Sequence, residues 1–141
     1  MLDALRLSLN APAVLGFLIY IIVAALLFAL FQFIYTRLTP HKEFQLIRSN
    51  NVAAAVALGG SLIGFALPAS SIISYSVSVL DFVVWVLIAA VVQLLAFLAA
   101  SLVIKRLSDR IAKGEVAVAI YSASLAISVG LLNSACMTPS V

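Results

Sequence analysis

Charge is what this chain has least of. Only 9% of its 141 residues are Asp, Glu, Lys or Arg, while 65% are hydrophobic, against roughly 25% and 45–50% in an ordinary soluble domain. So little polar surface cannot keep a chain dissolved. Chemistry-bearing side chains are equally scarce. A single cysteine, Cys136, excludes an internal disulfide, and a single histidine, His41, leaves no metal-ligand set of recognisable spacing. The sequence contains no nucleophile–base pair, no embedded pair of carboxylates and no phosphate-cradling glycine loop. The glycines of "GGSLIG" lie inside an apolar stretch instead of following a strand, so they are not a dinucleotide fingerprint. The chain is read as not an enzyme and as needing no cofactor or metal.

What it has in abundance is long apolar runs. About 20 such residues cross a hydrocarbon core about 30 Å thick, and helices satisfy their backbone groups there without water. Four runs qualify: Ala13 to Thr36, Val52 to Ala69, Phe82 to Ile104, and Val116 to Ala135. The first follows a short amphipathic lead, "MLDALRLSLNAP", ending in the helix-initiating pair Asn10 and Pro12. It is too long for the apolar part of a cleavable signal, and no small-residue cleavage site follows, so it is expected to stay in the mature chain. The expectation is one compact all-α membrane domain without a soluble part.

The few charges sort by connection. Arg37, Lys42 and Arg48 lie between the first two spans, and Lys105, Arg106, Arg110 and Lys113 between the last two. The segment from Ser70 to Val79 is uncharged and the tail after Asn133 has no Lys or Arg, leaving Arg6 as the only cation on that side. Short Lys/Arg-rich loops stay in the cytoplasm. Loops 37–51 and 105–115 are therefore expected inside and both termini outside. The net charge of +3 comes from these juxtamembrane loops, which suit anionic lipid headgroups and call for no nucleic-acid partner.

One segment is written twice. Laying Ile47 to Leu67 over Ile111 to Leu131 matches Ile47/Ile111, Val52/Val116, Ala53/Ala117, Ala55/Ala119, Ile63/Ile127 and Leu67/Leu131. Each copy follows a basic loop and a long span, so the repeating unit is a two-helix hairpin, 1–74 and 75–141. Two spans return the chain to its starting side. The copies should therefore share one orientation, related by an axis along the membrane normal.

"IRSNNVAAAVALGGSLIGFALP", "VAVAIYSASLAISVGLLNSACMTP" and the intervening "LDFVVWVLIAAVVQLL" resemble the YjfL-like bacterial inner-membrane proteins, the family named for domain of unknown function 350. The resemblance covers nearly the whole chain and is weakest before Leu15. It implies tandem two-helix units in a bacterial inner membrane, and no catalytic residues to carry over.

Without a hydrophobic drive between helices in lipid, small residues set their contacts. Ala53, Ala57, Gly60 and Gly64 share one face of the second span, beside Ser61. Ala119, Ala123, Ala126, Gly130 and Asn133 form a comparable stripe on the fourth. Packing of the two repeated helices is the plain expectation, and a pore lining the alternative. Gln32 and Gln93, with Asn133, are candidates for interhelical hydrogen bonds or a hydrated path. Asp81 and Glu115 read as caps, Asn50 and Asn51 as helix starts, and Trp85 and Tyr75 as interface anchors. Pro68 is expected to end or kink the second helix, and Thr39 with Pro40 to start either a short interfacial helix or a solvated loop.

Two functions fit. One is an oligomeric structural or interaction module whose basic loops meet lipid or a cytoplasmic partner. The other is a small homo-oligomeric channel or transporter. The long first and third helices are dry, so a water path is expected between subunits, with Gln93 or Gln32 as its lining. The preference goes to the module, because the first helix contains no acid and the spans carry little polarity.

Overall fold

A computed structural model describes residues 1–137; residues 138–141, the end of the second unit and of the tail, lie outside the described residues. The described residues are all-helical apart from short connections. α1 (Leu2–Ser8) leads into α2 (Ala11–Leu38), α3 (Glu43–Arg48) precedes α4 (Val52–Tyr75), and α5 (Val79–Val103) is followed by α6 (Leu107–Ala112) and α7 (Val116–Cys136). α2, α4, α5 and α7 are long and apolar enough to cross a membrane.

The helix starts carry their own chemistry. The Asn10 side chain accepts from Ala13 N at 2.8 Å, with Pro12 in the first turn, and Asn51 accepts from Ala54 N at 3.0 Å. Each satisfies one orphan donor of a helix N-terminus. At α5 the N-cap is Ser78, whose Oγ accepts from Asp81 N at 3.1 Å while Asp81 Oδ2 accepts from Val77 N at 3.2 Å. Asp81 thus stabilises that start from the first turn.

Three expectations about local structure change. Pro68 does not end α4, which runs on to Tyr75. A proline removes one backbone donor, and the buried Pro68 and Ile72 keep the last turns packed. The uncharged connection shrinks accordingly to residues 76–78, and the 74/75 unit boundary falls in the last turn of α4. Thr39 is not an N-cap. It closes α2, buried, with its hydroxyl 3.3 Å from the carbonyls of Tyr35 and Thr36, and α3 starts only after Lys42. Glu115 occupies the N-cap of α7 without a capping bond, its carboxylate being taken by Arg110 Nε at 2.6 Å.

The two basic connections have matching backbone geometry. α3 ends with Asn50 N donating to Ile47 O and Asn51 N to Leu46 O, and α6 with Gly114 N donating to Ile111 O and Glu115 N to Arg110 O, all at 2.9–3.1 Å. The pivot is left-handed in both, Asn50 at φ 66 and Gly114 at φ 87. These are the residue types that enter this region at least cost. The connections are also joined: Asn51 Nδ2 donates to Ala112 O at 3.0 Å.

α4 and α7 make the most extensive contact of the fold, α5 packs against both, and α2 leans on α4 and α5. Rings hold α2 in place. Phe31 stacks on Phe65 of α4, centroids 4.2 Å apart and planes 8° from parallel, and Tyr35 meets Phe97 of α5 edge-on at 5.3 Å. These are favourable arrangements of aromatic quadrupoles. Among the described residues, none from Ala11 to Leu30 is buried.

Candidate functional site

The α4–α7 seam is built from what its residues lack. A Cβ on Gly60 would strike the Cβ and Cα of Ala123, one on Gly64 would strike the Gln93 carboxamide and Ala126 O, and one on Gly130 would strike Gly64 O. Backbone thus lies on backbone along the seam. Ala53, Ala57 and Ala119 continue it, each no more than 2% exposed. The eight alanines and glycines singled out in the sequence all lie buried on these two helices.

Gln93 reaches into this seam from α5. Its Nε2 donates to Ala126 O at 2.9 Å through the space left by Gly64, which ties three helices at one level. Its Oε1 is buried and has no hydrogen-bond partner among the described residues; the same holds for Asn133 Nδ2 on α7. Gln93 therefore faces its own bundle, and a path lined by it would run within one chain, in contrast to the expected path between subunits. Gln32 stands apart, partly exposed on α2, with no hydrogen bond to Gln93 or Asn133 among the described residues.

A second polar cluster, at the end of the bundle that carries the basic connections, escaped the sequence reading. Its members come from three elements: Tyr35 and Thr39 of α2, His41 and Glu43 at the entry to α3, and Ser61 of α4. Tyr35, Thr39, Glu43 and Ser61 are buried. His41 Nε2 is 3.5 Å from Glu43 Oε1, with side chains 6% and 1% exposed, and neither ring nitrogen nor either carboxylate oxygen has a hydrogen-bond partner among the described residues. Buried groups of this kind are nearly always paired. The signal in the sequence is one of only five acids placed two residues after the only histidine.

The remaining charges are at the surface. Arg37 covers the Phe33 ring at 4.8 Å, its stem along the apolar end of α2, and Arg106 pairs with Asp109 at 3.0 Å. Lys42, Arg48, Lys105 and Lys113 have no ion pair among the described residues.

Four apolar helices sealed through small residues and buried carboxamides define a multi-pass membrane protein of the all-helical class. The model of the family described as Domain of Unknown Function (DUF350) matches residues 8–137, and the chain belongs to this family. It is 38% identical over 126 residues to the UPF0719 inner membrane protein YjfL of Escherichia coli (strain K12), covering 89% of this chain and 96% of the relative, and equally to YjfL of Escherichia coli O157:H7. No solved structure matches.

Proposed function

We propose that this is a multi-pass protein of the bacterial inner membrane that acts as a homo-oligomeric structural or interaction module rather than an enzyme. The observation that carries the reading is the uneven use of its helices. α4 and α7 are closed on each other through bare backbone, whereas α2, the longest helix, buries only Phe31 and Tyr35. Its outer half offers Leu15, Phe17, Ile21, Ile22 and Leu26 to the surroundings, where membrane lipid or a second copy covers them. The matched backbone geometry of the connections that lead into α4 and α7 supports two tandem units of one orientation. Arg37, Lys42, Arg48, Lys105 and Lys113, which have no ion pair among the described residues, suit anionic lipid or a cytoplasmic protein partner.

Chemical cross-linking of the purified protein in native-lipid nanodiscs should capture discrete oligomers, and cysteines placed on the outer half of α2 should cross-link between copies. A strictly monomeric protein would remove this reading. The second reading, a small homo-oligomeric channel or transporter whose path runs inside each chain, is favoured by Gln93 Oε1 and Asn133 Nδ2, which have no hydrogen-bond partner among the described residues. In liposomes it requires an ion flux that falls at least tenfold on Gln93→Leu, and the module reading predicts none across several ions.

The seven-to-one distribution of cations supports a topology with termini outside and loops 37–51 and 105–115 inside. Cys136 is exposed at the end of α7. It should react with a membrane-impermeant thiol reagent in intact spheroplasts; labelling only after the inner face is opened would reverse the orientation.

A further inference from the structure

The assembly reading leaves one buried feature without a role, the pair His41 and Glu43 in the connection from α2 to α3. We propose that these two side chains share a single proton and that this proton latches the connection onto the bundle, which releases it when the proton leaves. The latch is a property of one chain and does not depend on assembly.

The pair sits where it has leverage. Thr39 is buried at the close of α2, and α3 packs on α4 with Leu46 and Ile47 partly buried against the core. Between these anchors lie His41 and Glu43, their side chains 6% and 1% exposed. The connection cannot be seated without burying both. Their contact, 3.5 Å from Nε2 to Oε1, is longer than a charge-assisted hydrogen bond of about 2.7–2.9 Å, and neither carboxylate oxygen has a hydrogen-bond partner among the described residues. Charge alone offsets the burial of the carboxylate, and that charge is a proton on the ring.

The surrounding elements offer no substitute. α4 carries no ionisable side chain before Tyr75 at its far end. α2 supplies the buried phenol of Tyr35 and Arg37, the latter exposed over Phe33. Lys42, Arg48, Lys105 and Lys113 are exposed, while Arg106 is paired with Asp109 and Arg110 with Glu115.

Proton count then decides whether the connection stays seated. With one proton the pair is neutral, whichever partner carries it. With none, a carboxylate is buried without a counter-charge; with two, an imidazolium is. Either charge is costly in the closed connection and is solvated in an open one. Closure is therefore linked to protonation: it is favoured while the pair holds one proton and is lost as rising pH passes that proton to solvent.

Hydrogen exchange of the full-length protein in nanodiscs, read as protection factors from about pH 5 to about pH 9, tests the latch across the range in which imidazoles titrate. The second basic connection is the internal reference, since it shares the backbone geometry and the residues buried in its helix are Leu107 and Ile111. Wild-type amides of residues 41–48 should lose about tenfold or more in protection towards the alkaline end, while those of 107–113 hold within about threefold. His41→Gln leaves the carboxylate alone and should move the loss to lower pH. Glu43→Gln leaves the ring alone and should reverse the slope, with protection falling towards acid. The double variant, neutral throughout, should be flat. A flat wild-type profile overturns the latch, and so does a wild-type slope that survives in the double variant or a Glu43→Gln profile that still falls towards alkali. The wild-type and double-variant profiles decide the matter even where a single variant fails to fold.

Discussion

Gly64→Ala is expected to destabilise the bundle by about 3 kcal/mol, the upper end of what overpacking by a few atoms costs. The added methyl would meet Ala126 O and the Gln93 carboxamide at once. The carboxamide can turn away only by giving up its bond to Ala126 O, and the Ala126 backbone can retreat only by separating α4 from α7. Gly130→Ala should behave similarly, because its methyl would meet the Gly64 carbonyl. Gly59→Ala supplies the control. Nothing lies within 4 Å of a Cβ there, so the helix-propensity gain of about 1 kcal/mol should appear unopposed. Reversible unfolding in mixed micelles measures all three; a Gly64→Ala variant as stable as Gly59→Ala would mean the seam is not closed through backbone.

Phe65→Ala should cost about as much, roughly 3–5 kcal/mol by the usual toll of a buried aromatic ring, and its effect should fall on α2. Phe65 is 1% exposed and stacks on Phe31, with Phe28 5.9 Å away. Without it the ring contacts left to α2 with other helices among the described residues are Tyr35–Phe97 near its C-terminal end and Tyr20–Phe82 at 5.7 Å nearer its N-terminus. Hydrogen exchange should show α2 amides losing protection relative to those of α4 and α7. Phe17→Ala, on a ring 66% exposed, should change stability by less than about 0.5 kcal/mol. Equal losses from the two variants would show that the aromatic stack does not hold α2.

The sequence makes the helices legible because membrane spans are a matter of length and apolarity, and all four runs appear as helices within a few residues at most ends. Pro68 shows where local rules fail: a proline costs one bond and a clash, and packing around Ile72 outweighs it. Thr39 and Pro40 fail differently. Their types suit a helix start, but a threonine hydroxyl bonds a preceding carbonyl equally well, and the close of α2 took it first. The small face of α4 could be read from spacing alone, while its exact partner atoms could not. Gln93 was legible as a group needing a partner, but not as one turned into its own bundle, since a helix pattern does not say which side meets protein. His41 and Glu43 were invisible because burial in a short connection depends on how α2 and α4 lean together.

The loose seating of α2 also bears on how the molecule is made. α2 leaves the ribosome before the helices it will rest on, and Phe65 is not yet in the membrane when Phe31 arrives. α2 and α5, the most apolar of the four long helices, are each suited to wait alone among acyl chains. α4 and α7, less apolar and lined with glycine, alanine and serine, gain their place from each other, and stable helices that insert singly before docking can do so in that order. Biogenesis would then proceed with an early span parked in lipid until its dock is synthesised, and the last span, α7, would lock the structure on arrival.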